Sequence, residues 1–178
     1  MKEKRVLLDE TAIMRAIRRI SHEIVEQNSD LHEAILVGIE RRGVYLASRL
    51  ARQIESIDGV HVQTETINIE AYRDDRVYVS KDLQNGKQTF PIDTTGKLII
   101  LVDDVLYTGR TIRSALNALM EAGRPRAIRL AVLIDRGHRE LPIRADFVGK
   151  NVPTARGEEI QVLLTELDGE DRVVILSP

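Results

Sequence analysis

Three short apolar runs, Ala34-Ile-Leu-Val-Gly-Ile39, Leu98-Ile-Ile-Leu-Val102 and Ala127 to Ile134, constrain the fold more than any other feature of the chain. Each has the length and β-branching of a strand, and none shows the strict alternation of a strand with one wet face. Strands apolar on both faces need cover on both faces. The intervening stretches supply it. Asp9 or Thr11 caps a helix reaching about Gln27, and a second helix runs from about Gly43 to Ile54. A third, from about Arg110 to Ala122, places Ile112, Ala115, Leu116, Leu119 and Met120 on one face before Gly123 stops it. Val60 to Ile69 alternates like a half-buried strand. This order predicts an α/β fold, a mostly parallel twisted sheet flanked by helices. No repeat, low-complexity tract or long linker interrupts it, so residues 1–178 read as a single domain.

Composition narrows the chemistry. The chain has no Cys, which excludes thiol catalysis, disulfide staples and Cys-ligated metal sites, and which fits a reducing, cytoplasmic setting. No apolar stretch is long enough for a membrane span or a leader, so the expectation is a chain with no membrane partner. A net charge of −2 argues against a uniformly basic surface. The charge is segmental, however: Met1 to Ser21 carries six basic and three acidic residues, Arg124 to Lys150 seven and three, and Asn151 to Pro178 two and six.

In open α/β sheets, ligands sit at the carboxyl ends of strands near the point where strand order reverses. That directs attention to Glu40–Gly43, to Asp103–Thr111 and to the segment from Asp135 onward. After the most apolar strand, Asp103 and Asp104 lead through Val105, Leu106 and Tyr107 into Thr108-Gly109-Arg110-Thr111, which opens a helix. Amides at a helix start, with the hydroxyls of Thr108 and Thr111, suit one phosphate, and Gly109 allows close approach. Two carboxylates nearby suit ribose hydroxyls, Mg²⁺ or a positively charged sugar ring. Neither a P-loop nor a Gly-x-Gly-x-x-Gly pattern is present.

The segment Ile99–Thr111 resembles the signature of the type I phosphoribosyltransferases, in which an apolar strand, two acidic residues and Thr-Gly-x-Thr bind phosphoribosyl pyrophosphate (PRPP). The resemblance implies that Asp103 and Asp104 hold the ribose and, directly or through substrate, Mg²⁺. It also implies that Thr108, Gly109, Arg110 and Thr111 hold the 5′-phosphate, and that Val105, Leu106 and Tyr107 belong to the same PRPP- or UMP-binding stretch. Glu40-Arg41-Arg42-Gly43 occupies the matching place after the earlier strand, where Arg donors suit pyrophosphate and Gly43 an unusual turn. Tyr72 to Phe90 is polar, with Asn85-Gly86 as a hairpin turn, and Tyr72 and Arg73 resemble the start of the family's projecting flap, which closes to exclude water.

Purine-using members carry an Asp just before Thr-Gly and a Lys near the end of the next strand. This chain has Tyr107 and Asp135-Arg136, so uracil is the expected base. The terminal segments are expected to form a small hood. Ala145–Lys150 resembles its base-covering part, with Phe147 over the ring and the backbone of Val148, Gly149 and Lys150 reading the edge. The resemblance extends from the first helix to about Pro153 and is closest to bifunctional members. It implies transfer of phosphoribosyl to uracil together with uridine-nucleotide-dependent binding of pyrimidine-operon mRNA that promotes transcription termination. It also implies a homodimer or larger homo-oligomer.

The residues lend that second role some support of their own. In the first helix Arg15, Arg18, Arg19 and His22 recur at helical spacing, opposite Ile13, Ile17, Ile20 and Ile24. Arg136, His138, Arg139 and Arg144 form a second basic cluster. With aromatic residues at 3%, RNA would be held by shape and phosphate contacts rather than by stacking. The alternative is a salvage phosphoribosyltransferase for a purine or uracil with no RNA role.

Overall fold

We describe residues 1–69 and 92–178 of a computed structural model of the chain. The expected flap, with Tyr72, Arg73 and the Asn85-Gly86 turn, lies outside the described residues. In chain order the elements are β1 (Lys2–Leu8), α1 (Glu10–Gln27), β2 (Ala34–Ile39), α2 (Arg42–Asp58), β3 (Gln63–Ile67), β4 (Leu98–Leu106), α3 (Arg110–Glu121), β5 (Ala127–Asp135), β6 (Phe147–Asn151), β7 (Glu159–Leu163), α4 (Thr165–Asp168) and β8 (Arg172–Ser177).

Among the described residues the main sheet has five strands in the order β3-β2-β4-β5-β6, every neighbouring pair parallel. Both of its faces are covered, which is why β2 and most of β4 and β5 read as continuous apolar runs. Alternation still decides which neighbour each residue meets. Leu98, Ile100 and Val102 share a core with Ile13, Ile17 and Ile20 of α1 and Leu46 and Leu50 of α2. Ile99 and Leu101 join Ile112, Ala115, Ala118 and Leu119 of α3 on the other side. Each fully buried Ile or Leu contributes roughly 1.5–3 kcal/mol. Met120 does not join that face: it is exposed, Leu116 is half-buried, and Ala118 packs instead. The helix turns 100° per residue, which carries position 120 past the edge of the stripe.

Local rules explain the helix ends. Asp9 caps α1 by accepting the Ala12 amide at 2.8 Å, worth about 1 kcal/mol. Helix α2 can lie close to the sheet because Gly38 has no side chain; a Cβ there would stand 2.5 Å from the Val44 Cα. The half-buried strand expected from Val60 to Ile69 is shorter, only Gln63–Ile67, the stretch that pairs in register with Ile35–Ile39 of β2.

The chain ends build a second, antiparallel sheet in the order β1-β8-β7. Leu7, Leu8, Val162, Leu164, Val173 and Ile175 attach it to the α1/α2 side of the main core.

Candidate active site

Strands β2 and β4 flank the point where strand order reverses, so the loops that follow them open side by side at one end of the sheet. After β4 the backbone remains extended through both acids. The Asp103 carboxylate accepts the Asp104 amide at 2.9 Å, and that of Asp104 accepts the Val105 amide at 2.8 Å. Burial pushes both carboxyls above the usual carboxylate range, and the neighbouring Asp104 charge raises Asp103 further. The Val105 amide and the Arg42 guanidinium partly oppose the rise at Asp104. Among the described residues neither acid has an ion-pair partner. Two adjacent desolvated acids without a counter-ion are costly unless a ligand completes them.

Beyond the strand, Gly109 sits at φ 94° as the N-cap of α3 and has no side chain of its own to offer the first amides. Thr108 and Thr111 are half-buried beside it, and the Arg110 amide reaches Thr108 Oγ1 at 3.4 Å. Amides at a helix start beside two hydroxyls are donors of the kind that suit an anion. Leu106 belongs to the strand rather than to this cradle. Its side chain is buried and its carbonyl accepts the Arg136 amide at 3.1 Å, so neither faces a ligand. Val105, also within β4, is half-buried and packs against the core.

After β2, Arg41 is exposed, the Glu40–Arg41 peptide is cis, and Glu40 accepts Asn68 Nδ2 at 2.9 Å. Gly43 makes no unusual turn. It lies inside α2, and its value is proximity, since a Cβ there would stand 2.4 Å from the Val102 carbonyl. That close fit presses the start of α2 against the strand immediately before Asp103. Arg42 donates through one nitrogen to both Asp168 oxygens at 3.0 and 3.1 Å, while its Nε is buried without a partner.

The base-covering expectation needs correction. Phe147 is fully buried in the core as the first residue of β6, so its ring has no face left for a base. Val148, Gly149 and Lys150 form the edge of the main sheet, and the Val148 and Gly149 carbonyls are taken by Arg19, at 3.2 Å for Val148. Lys150 donates to the Leu7 carbonyl at 3.2 Å. The segment that does lie over the C-terminal end of β5 is Val152–Glu158. The Val152 amide bonds the Asp135 carbonyl at 2.8 Å, Arg136 Nε bonds Thr154 Oγ1 at 3.1 Å, and Arg136 Nη2 bonds the Glu158 carbonyl at 2.6 Å. Pro153 and Gly157, which mark that segment as a loop after a strand, were the available signal.

Arg136 is likewise not a surface cation. It is buried, and its guanidinium lies 4.0 Å over the Tyr107 ring. Tyr107 in turn meets His138 edge-on at 6.0 Å. Arg139 is anchored to Asp135 at 2.5 Å, the Tyr107 carbonyl at 2.8 Å and the Ile143 carbonyl at 2.9 Å. Arg15, Arg18, Arg19 and His22 are exposed along α1, and Arg144 and His138 are exposed on the loop between β5 and β6. The α1 stripe and the loop flank the same edge strand, β6, which α1 reaches through Arg19.

Comparisons with known proteins agree with this arrangement. Residues 5–164 match the family model described as the phosphoribosyl transferase domain. The chain belongs to the phosphoribosyltransferase family. Within the family it is 55% identical to the Bifunctional protein PyrR of Halalkalibacterium halodurans, covering 96% of each chain. It is 56% identical to that of Brevibacillus brevis over 98% of each. The PyrR protein of Clostridioides difficile is 54% identical, with 98% of this chain and 99% of that one covered. Among solved structures, a hypoxanthine phosphoribosyltransferase of Trypanosoma cruzi has a TM-score of 0.75 at 19% identity, covering 99% of this chain and 98% of that one. Another from Staphylococcus aureus has a TM-score of 0.73 at 21%, covering 99% and 94%. At such identity these last two establish the shared fold.

Proposed function

We propose that the chain transfers the phosphoribosyl group of PRPP to uracil, giving UMP and pyrophosphate. We further propose that, with a uridine nucleotide bound, it binds pyrimidine-operon mRNA and promotes transcription termination. The observation that carries the first activity is the buried Asp103 and half-buried Asp104, neither in an ion pair among the described residues, leading into a helix start whose N-cap is a glycine. The bifunctional name of the relatives, at 54–56% identity, and the exposed basic stripe of α1 support the second.

In this reading the amides opening α3, with Thr108 and Thr111, hold the 5′-phosphate, while Asp103 and Asp104 accept the ribose hydroxyls. Exposed Arg41 holds the pyrophosphate, with Arg42, tied to Asp168, adding positive charge near Asp104. A uracil nitrogen forms its bond to the anomeric carbon as the carbon–oxygen bond to pyrophosphate breaks; the electron pair leaves with that oxygen, and the proton lost from the nitrogen passes to the departing pyrophosphate. Positive charge developing on the sugar is stabilised by the two acids. The base sits over the end of β5, under the loop Val152–Glu158 and within the hood of the terminal strands.

Among the described residues no group of three or more His, Cys, Asp or Glu assembles a metal site. Mg²⁺ commonly needs only one or two carboxylates plus phosphate oxygens, so Asp103 and Asp104 fit an ion that arrives with PRPP. When bound, it neutralises charge on the leaving pyrophosphate. The chain is taken to work in the cytoplasm as a homo-oligomer; no described helix is long and apolar enough to cross a membrane.

Two assays test the proposal: pyrophosphate release from PRPP with uracil, hypoxanthine or guanine, and binding of pyrimidine-leader RNA with and without UMP. Turnover with uracil and UMP-enhanced RNA binding are expected. Turnover without RNA binding would leave a salvage enzyme.

A further inference from the structure

A dense set of contacts joins the phosphate turn to the loop after β5. The Thr108 carbonyl accepts the amides of Glu140 and Leu141 at 2.9 and 3.2 Å. Arg110 Nε donates to Glu140 Oε2 at 2.7 Å, and Arg139 donates to the Tyr107 carbonyl at 2.8 Å. A Cβ on Gly109 would touch Ile143 at 3.4 Å. The same loop carries His138 at φ 59°, a conformation disfavoured for a residue with a side chain, with Nε2 donating to the Thr154 carbonyl at 2.5 Å. This loop shape persists because its neighbours hold it.

We propose that Tyr107–Thr111 and Gly137–Leu141 form one mechanical unit, with Glu140 as the positioning residue, through which a seated nucleotide phosphate sets the geometry of the RNA-facing His138 and Arg139. The proposal rests on the functional reading above and supplies its regulatory link. Its physical basis lies in the Thr108–Gly109 peptide. In a trans peptide the carbonyl and the N–H point in opposite directions. The carbonyl faces the Glu140 and Leu141 amides, so the Gly109 N–H faces away from them. A phosphate accepting that N–H polarises the peptide and strengthens the acceptor on its other end. The Arg110–Glu140 pair adds a second link from the same turn. Linkage makes the coupling reciprocal, so RNA tightens UMP binding by the factor with which UMP tightens RNA binding.

Amide exchange followed by NMR, with saturating UMP, reads the link directly. UMP is expected to slow exchange at Thr108–Thr111 and also at Glu140 and Leu141. In Glu140→Gln, an exposed substitution, the ratio of RNA Kd without and with UMP is expected to shrink twofold to fivefold, the range for losing a surface ion pair. Its RNA affinity without UMP and its uracil turnover stay within twofold of the parent. Protection confined to Thr108–Thr111, or an unchanged Kd ratio in Glu140→Gln, overturns the proposal and leaves the functional reading standing. An absence of protection at Thr108–Thr111 in the parent removes that reading, and the proposal falls with it.

Discussion

Acidic residues at two places in this molecule behave in opposite ways. At the end of β4, burial holds Asp103 and Asp104 above the ordinary carboxylate range without a cation in contact. At the turn around α4, Asp171 is held down to about 2 by hydrogen bonds from Arg49, and Glu166 is lowered by the same guanidinium. Arg49 meets Glu166 at 2.5 and 2.8 Å and Asp171 at 2.5 and 2.8 Å. Arg42 and Arg49 are seven residues apart, hence on one side of α2, and the first grips Asp168 as the second grips its neighbours. The C-terminal acids thus fasten the second sheet to the helix behind the site. Among the described residues the acids of β4 accept only the next amides of their own strand. The contrast separates carboxylates engaged by a cation from carboxylates left without one, and the proposed ligand site draws on the second kind.

The largest effect expected from breaking this contrast is in catalysis. Asp104→Asn should lower uracil turnover by about 10²-fold or more, the scale for losing one preorganised charge at a reacting centre. Its thermal midpoint should be unchanged or higher, because a disfavoured buried charge has been removed. Steady-state kinetics beside a melting curve checks both, and a large loss of stability with turnover retained would reverse the assignment. Arg49→Met should do the opposite. Leaving Asp171 and Glu166 without their partner is expected to cost about 2–4 kcal/mol in urea unfolding, while kcat at saturating substrate falls less than tenfold.

The pH dependence of stability sharpens the same comparison. A depressed folded pKa, as at Asp171, gives stability that is present above the unfolded value near 3.8 and is lost as pH falls through about 2. After allowance for solvent screening this is on the order of 1 kcal/mol. The raised values of Asp103 and Asp104 act in reverse: their charged forms burden the fold at neutral pH, and protonation relieves it as pH falls toward 4. Stability should therefore rise on mild acidification and fall on stronger acidification. The double variant Asp103→Asn/Asp104→Asn should lose the first limb, and Asp171→Asn should weaken the second, as read by thermal melts across pH.

How far these roles were legible in the sequence depends on how local they are. The apolar runs and caps placed β2 without error and α1 and α3 within a residue or two, because burial on both faces and the N-cap of Asp9 are written within a few residues. The turn after β4 was equally legible as an element, since acids, Gly109 and flanking hydroxyls sit in one segment and the helix does begin at Arg110. Phe147 was not. An aromatic after a loop reads the same whether it faces a ligand or a core, and only the pairing of β6 with β5 turns it inward. Arg136 was misread for a related reason: its acceptors, Thr154 and the Glu158 carbonyl, lie in a segment that tertiary folding alone brings near. The acidic C-terminal stretch registered only as a charge excess, because its partner Arg49 is more than a hundred residues away in the chain.

The same distinction between engaged and unengaged charge applies to the basic residues, and it selects the smallest expected effect. Arg19 and Arg139 are committed to backbone carbonyls, so replacing either disturbs the β6 edge or the loop after β5 along with any phosphate contact. Arg18 and His22 on α1, and Arg144 before β6, are exposed. For these the expected result of replacement by Ala is a loss of RNA affinity of about threefold to tenfold each. For the two arginines the slope of log affinity against log salt should flatten by about one unit, since one phosphate contact has gone. Fold stability and uracil turnover should not change. RNA titrations at several salt concentrations measure both quantities. An unaltered slope in Arg18→Ala and Arg144→Ala alike would place the RNA on another face. A flattened slope in both would mean that helix α1 and the loop after β5 track one strand across the edge of the sheet.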